Sequence, residues 1–240
     1  MALPSKTVGI SLISSFPVKA FDAVDQGMSR RRSIQSNDSA WRGFAAAWNA
    51  VAYRLIAAHR HAERLSELAS RSASTPEERF QQDDEMFCWV VAAQSAIECA
   101  FFAAEIVTAV ASADSFDPMD DGDLRLSVKG IAEKVAQRFP QLKITEVLKR
   151  HSAADEFRTL SDLRRVLFHR ATLPRHIHAS LGGDIEVLDT MPANPADPGK
   201  RWRFDSAFSR DMTDGPQAWC DSAVTDIVLA LADITDAWTI

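Results

Sequence analysis

The segment Ser161-Asp162-Leu163-Arg164-Arg165-Val166-Leu167-Phe168-His169-Arg170 gathers the side chains of this chain best suited to chemistry. A guanidinium is planar, permanently charged and able to hold two phosphate oxygens at once, whereas an imidazole titrates near neutrality and can take up or release a proton in mid-reaction. Arginine followed five residues later by histidine therefore suits phosphodiester chemistry. Arg164 would stabilise charge developing on a phosphate, His169 would move the proton, and no metal would be required. From Lys149 to His178 the chain carries seven cations (Lys149, Arg150, Arg158, Arg164, Arg165, Arg170, Arg175) against Asp155, Glu156 and Asp162, a local +4 in a chain of net charge −6. His151, His169, His176 and His178, four of the six histidines, fall in the same window.

At about 100° per residue, Phe157, Leu160, Leu163, Leu167 and Phe168 share one broad apolar arc. Arg164 falls inside that arc, while Arg158, Asp162, Arg165 and His169 occupy the adjacent polar side. A guanidinium on an apolar face needs a carboxylate, a carbonyl cluster, another chain or a bound phosphate. Glu98, inside the apolar stretch Met86–Val110, is a candidate partner, and Asp162 would support the same region from its own helix. Two readings follow. Either Arg164 and Glu98 form a structural ion pair while the other cations solvate a surface, or the cations line a phosphate-binding cleft. Arg164 and His169 lie about 140° apart on an ideal helix, so they converge only if the helix ends near His169 or the arginine wraps round it. Ala171-Thr172-Leu173-Pro174 suits such an ending, because the residue before a proline is driven out of the helical region.

The elements that must position these residues are mainly helical. Trp41, Phe44, Trp48, Val51 and Leu55, continuing to Leu65 and Leu68, recur at three- and four-residue steps and predict a long amphipathic helix. Thr75-Pro76-Glu77-Glu78 supplies an N-cap, a first-turn proline and a capping-box carboxylate for a second helix from Pro76 to about Ala113. Shorter helices are expected over Ser127–Phe139, Leu142–Arg150 and Ala153 to about Arg170, the last capped by Ser152. Between Arg175 and Phe208 the period changes to two, in Arg175–His178, Asp184–Leu188 and Lys200–Phe204, with a turn at Leu181-Gly182-Gly183-Asp184. Pro216 then opens a final helix whose Val224, Ile227, Val228, Leu231, Ile234 and Trp238 form one stripe, leaving Asp221, Asp226, Asp233 and Asp236 in water. The expected architecture is all-α. About four main helices form a bundle, with a small antiparallel β-ribbon at about 175–208 inserted before the last helix. Residues 39–240 make a single domain, and residues 1–38, which include Arg30-Arg31-Arg32 and show no sustained period, form a partly ordered arm.

Composition narrows the function classes. With 240 residues, 46% hydrophobic and only nine Gly and ten Pro, wholesale disorder, collagen-like repeats and a polytopic membrane protein are excluded. The acidic balance has the wrong sign for coating nucleic acid non-specifically, so any such site must be local. Cys88, Cys99 and Cys220 are too few and too widely spaced for a disulfide framework, which suits a reducing cytoplasm. Met86–Val110 is long enough to span a membrane, but Glu98 and Glu105 inside it favour a buried central helix and no membrane association. Lys6 followed by Thr7–Ile13 only faintly suggests a signal sequence, since its apolar run is short and diluted by serine. No Gly-rich phosphate loop, His-Glu-x-x-His or nucleophile-elbow pattern occurs. His176 and His178 would share one side of a strand near His169, but no carboxylate or cysteine stands at ligand spacing, so neither a metal nor another cofactor is expected. The interleaved Lys200-Arg201-Trp202-Arg203-Phe204 reads as an alternating strand with a cationic face, with a single-strand platform as the alternative.

Arg164 through His169, near the end of the third main helix of an all-helical bundle, resembles the R-x4-6-H motif of the HEPN superfamily. The long apolar helix with internal acid from Gln94 to Glu105, the hydrophobic residues before His169 and the basic Arg170 after it belong to the same resemblance. It covers Trp41–Arg175 and the last helix, with His176–Phe208 as an insertion. The best-known form of the motif has a polar residue, often Asn, directly after the arginine; Arg165 stands there in this chain. The resemblance implies a homodimer whose two motifs face one another and, in active members, a metal-independent endoribonuclease. By position, Arg164 would hold the scissile phosphate and His169 would assist attack by the ribose 2′-hydroxyl or protonate the leaving group. Arg165 would be an auxiliary phosphate contact, and Arg158, Arg170 and Arg175 would complete the cationic lining. Other members of the superfamily are non-catalytic, which makes a nucleotide- or protein-binding module the alternative.

Overall fold

A computed structural model of the chain describes residues 3–35, 38–69, 75–112, 127–169, 175–179, 185–189 and 213–238. Among them are seven α-helices: α1 (Val18–Gln35), α2 (Asp38–Ala69), α3 (Pro76–Ala111), α4 (Val128–Arg138), α5 (Lys143–Ser152), α6 (Asp155–His169) and α7 (Asp214–Asp236). The described chain is thus predominantly helical, as its periodicity predicts. Strands β1 (Arg175–Ala179) and β2 (Ile185–Asp189) pair antiparallel, with Arg175 opposite Asp189 and His178 opposite Glu186. The expected turn at Leu181–Asp184 and the third segment Lys200–Phe204 lie outside the described residues.

The chain forms two compact units. The first comprises Met1–Ile56, Ser95–Ala154 and Cys220–Ile240, and the second Ala57–Gln94 and Asp155–Trp219.

In the first unit the core is aromatic at one end. Trp48 is fully buried, stacks on Phe21 (ring centroids 4.5 Å apart) and on Phe44 (5.4 Å), and donates its indole N–H to the Phe21 carbonyl. Phe21 belongs to α1, in which Phe21 and Val24 are completely buried and Met28 nearly so. Although α1 is polar on average and its apolar residues are few, those few are fully used. Two arginines of the Arg30–Arg32 run also lie on aromatic rings. The Arg31 guanidinium lies 5.0 Å from the Trp238 ring, and Arg32 lies over Trp41 while pairing with Asp38 at 3.0 Å. Trp41, expected in the core, is therefore only half-buried.

Gly27 permits a close approach between α1 and α7. A Cβ placed there would stand 2.6 Å from the Thr235 Cβ. Although alanine is the better helix former, Gly27→Ala is expected to cost about 1–3 kcal/mol through overpacking, read as a lower urea midpoint at unchanged slope.

The N-terminal loop closes on α1 through one carboxylate. Asp22 accepts hydrogen bonds from the Ser5 hydroxyl (2.6 Å), the Lys6 N–H (2.9 Å) and both the N–H and hydroxyl of Thr7 (3.2 and 2.8 Å). The turn itself relies on Gly9, whose φ of +69° a side chain would strain, with its N–H donating to the Ser5 carbonyl. Burial alone would raise the Asp22 pKa, but these donors outweigh it and hold the carboxyl below its ordinary value. A depressed carboxylate adds stability above its unfolded pKa and loses it as the pH falls through the folded value. Asp25 has the opposite sign, since burial and then the Asp22 charge push its pKa up. Wild type should therefore gain stability over Asp22→Asn as the pH rises from 3 to 6, and urea titrations across that range check this.

Acids expected to stay in water are used between helices. Asp226 of α7 receives the Arg150 guanidinium at 2.7 Å and the His151 imidazole at 3.0 Å, and Asp233 pairs with Lys143 at 2.7 Å. Ser152, expected to cap α6, ends α5 instead and donates to the Lys149 carbonyl. Ser127, by contrast, caps α4 by accepting the Gly130 N–H.

The second unit holds the rest of α2, the first half of α3 and α6. Thr75 and Glu78 form a reciprocal cap at the start of α3, each accepting the other's backbone N–H. Trp89, Leu160 and Leu163 are completely buried and Met86 nearly so, with the Trp89 indole N–H donated to Gln217 at 3.0 Å. Across both units α3 is long and apolar enough to cross a membrane, and 72% of its most apolar window is buried.

Candidate functional site

The 15-residue helix α6 carries Arg158, Asp162, Arg164, Arg165 and His169 on one rigid element. Leu160 and Leu163 fix its orientation by complete burial. Its last described residue is His169. The His169 side chain is outside what the structure describes, Arg170 lies outside the described residues, and Arg175 is described by its backbone alone as the first residue of β1.

Arg164 is half-buried, and its Cζ lies 5.6 Å from the centre of the Phe168 ring, one turn further along the helix. Residues one turn apart on a helix meet in this way when the later side chain leans back over the earlier one. Phe168 in turn stacks on Phe87 of α3, with centroids 5.2 Å apart.

The remaining cations are less free than the charge count suggests. Arg158 pairs with Asp155 one turn back, and Arg165 reaches Asp162 at 3.6 Å. Lys149 and Arg150 face Glu146 and Asp226. Among the described residues of the Lys149–His178 window, Lys149, Arg150, Arg158 and Arg165 thus have an acidic neighbour, and Glu146 and Asp226 lie outside the window that gave +4. The window is also split: Lys149, Arg150 and His151 belong to the first unit, whereas Arg158, Arg164 and Arg165 belong to the second. Such exposed pairs contribute little to stability, but they reduce the local field.

Glu98 is half-buried and belongs to the first unit. The buried acid of α3 is Glu105, with the Lys134 ammonium 2.5 Å away. Sequence reasoning placed both acids in the apolar stretch but singled out Glu98. The distinction was not visible because a helix apolar on every side does not announce which face meets another helix.

Two further histidines have carboxylate partners. His61 Nδ1 meets Glu85 at 2.6 Å, with Arg64 on the other Glu85 oxygen at 3.3 Å, while buried His151 meets Asp226. The partners are 24 and 75 residues distant, and no local spacing signals them. Among the described residues no group of three His, Cys, Asp or Glu side chains is placed to hold a metal. Nor do the cysteines have the environment of a reactive thiolate. Burial pushes all three thiols up, with nearby acids adding to the effect: Asp84 and Glu85 at Cys88, Glu98 at Cys99 and Asp221 at Cys220.

No family model matches this chain, and neither a curated protein nor a solved structure matches it.

Proposed function

We propose that this protein is a HEPN-like, metal-independent endoribonuclease, acting as a cytoplasmic homodimer through Arg164 and His169. In this reading the strands after α6 are an insertion into a bundle of about four main helices. The observation that carries it is the place of the Arg164 guanidinium, beside the ring of Phe168, the residue before His169. The guanidinium holds the non-bridging oxygens of the scissile phosphate and stabilises the charge that builds there. His169 takes the 2′-hydroxyl proton as that oxygen attacks phosphorus, or protonates the departing 5′-oxygen. Arg165 is an auxiliary phosphate contact once it exchanges Asp162 for substrate, and Arg158, Arg170 and Arg175 add to the cationic surroundings.

A second reading is favoured by the pairing of Arg158 and Arg165 with acids on their own helix. It is a non-catalytic module that binds a nucleotide or a protein through the same surface. The test is incubation of end-labelled RNA with the purified protein in EDTA. Products ending in 2′,3′-cyclic phosphate and 5′-hydroxyl are expected. Binding without turnover selects the second reading.

A further inference from the structure

The start of α3 carries a second period beside the one that builds the core. Glu77, Phe80, Asp84, Phe87 and Val91 recur at steps of three, four, three and four residues, and none of them is buried, whereas Gln82, Met86, Trp89 and Val90 on the same turns are. Phe80 is 64% exposed, and Glu77 and Asp84 are exposed beside it. A single exposed apolar residue is ordinary. What distinguishes this one is its place in a 3.5-residue repeat, the spacing at which one helix lies along another. Phe87, one repeat further on, is braced by the Phe168 ring at 5.2 Å. Gln81 donates to the Glu77 carboxylate at 3.3 Å, a neutral partner that leaves the charge in place, and among the described residues no cation pairs with Glu77 or Asp84.

We propose that this face docks an amphipathic helix of a partner protein, one that brings apolar side chains at the same spacing and Lys or Arg opposite Glu77 and Asp84. Phe80, Phe87 and Val91 supply the apolar area. The two carboxylates select what covers it, because a carboxylate enclosed at a helix interface without a cation loses its hydration uncompensated. The same physics argues against a second copy of this chain as the occupant. Laid parallel, two such faces set Glu77 against Glu77 and Asp84 against Asp84; laid antiparallel with Phe80 against Phe87, they still bring Asp84 onto Asp84. Like charges along a seam discriminate against that pairing. Charge also disfavours a nucleic acid there, since from Glu77 to Glu85 the chain has five acids and one base, Arg79. The docking face is therefore separate from the Arg164–His169 reading and does not depend on it.

The test uses the full-length protein and two synthetic three-heptad peptides with leucine along the seam, one carrying lysine and the other glutamate at the two seam positions that face Glu77 and Asp84. Fluorescence anisotropy of the labelled peptides gives the affinities. Wild type is expected to bind the lysine peptide about ten- to a hundredfold more tightly than the glutamate peptide. Phe80→Ser is expected to weaken lysine-peptide binding about ten- to thirtyfold. The double variant Glu77→Lys/Asp84→Lys, altered only at exposed positions, is expected to prefer the glutamate peptide, a reversal that general attraction to an acidic chain cannot produce and that keeps the test decisive if Phe80→Ser does not fold. Equal affinity of wild type for the two peptides, undiminished binding by a folded Phe80→Ser, or no reversal in the double variant overturns the proposal. So does a wild-type dimer, followed by sedimentation, that dissociates on Phe80→Ser, because a second copy then occupies the face.

Discussion

His169→Ala is expected to abolish detectable RNA cleavage, a loss of about 10²–10⁴-fold in rate, while leaving the helical circular dichroism signal and the unfolding midpoint nearly unchanged. The stability half of this expectation follows from where α6 is anchored. Leu160 and Leu163 provide its completely buried face, and His169 is the helix's last residue, where alanine is readily accommodated. The activity half follows from the proton: a 2′-hydroxyl attacks efficiently only when a positioned base takes its hydrogen. Arg164→Lys supplies a companion measurement. Lysine keeps the charge but loses the planar fork, so cleavage should remain far below wild type and any defect in RNA affinity should be smaller than in Arg164→Ala. Undiminished cleavage by His169→Ala refutes the assigned chemistry, and an unfolded variant refutes the structural account of α6.

Lys134→Ala should destabilise the fold by about 3–5 kcal/mol, well beyond the effect of removing an exposed charge such as Lys143 or Arg158. It leaves the Glu105 carboxylate, which is 3% exposed, without the ammonium now 2.5 Å away. A pair with a buried carboxylate stabilises little relative to apolar replacements, yet removing the ammonium takes away the nearest charge that offsets the desolvation of that carboxylate. The double variant Glu105→Leu/Lys134→Leu should therefore recover much of the loss, and denaturant midpoints for the two proteins measure the difference. Glu98→Ala, by contrast, removes a half-buried carboxylate and should fall within about 1 kcal/mol of wild type. That outcome weighs against the reading in which Arg164 and Glu98 form a structural ion pair.

These two acids, Glu98 and Glu105, also mark the border between what is written locally and what is not. Periodicity alone determined the helical class, because a 3.6-residue repeat of apolar side chains can bury only as a helix. Thr75 and Glu78 announced their reciprocal cap, since both partners lie within one turn. The arginine–histidine spacing in α6 was legible for the same reason, and so was the dependence of their meeting on where the helix ends. Tertiary structure decided everything requiring a partner from far along the chain: Lys134 for Glu105, Asp226 for His151, and Phe87 for Phe168. It decided too that α1, weakly patterned as it is, contributes Phe21 and Val24 to the core, and that cations which sum to +4 in the sequence mostly meet acids in space. The physical reason is common to all of these. A helix face becomes core or surface, and a charge becomes free or paired, only through what another element brings against it, and intervals of tens of residues leave no local pattern to reveal that choice.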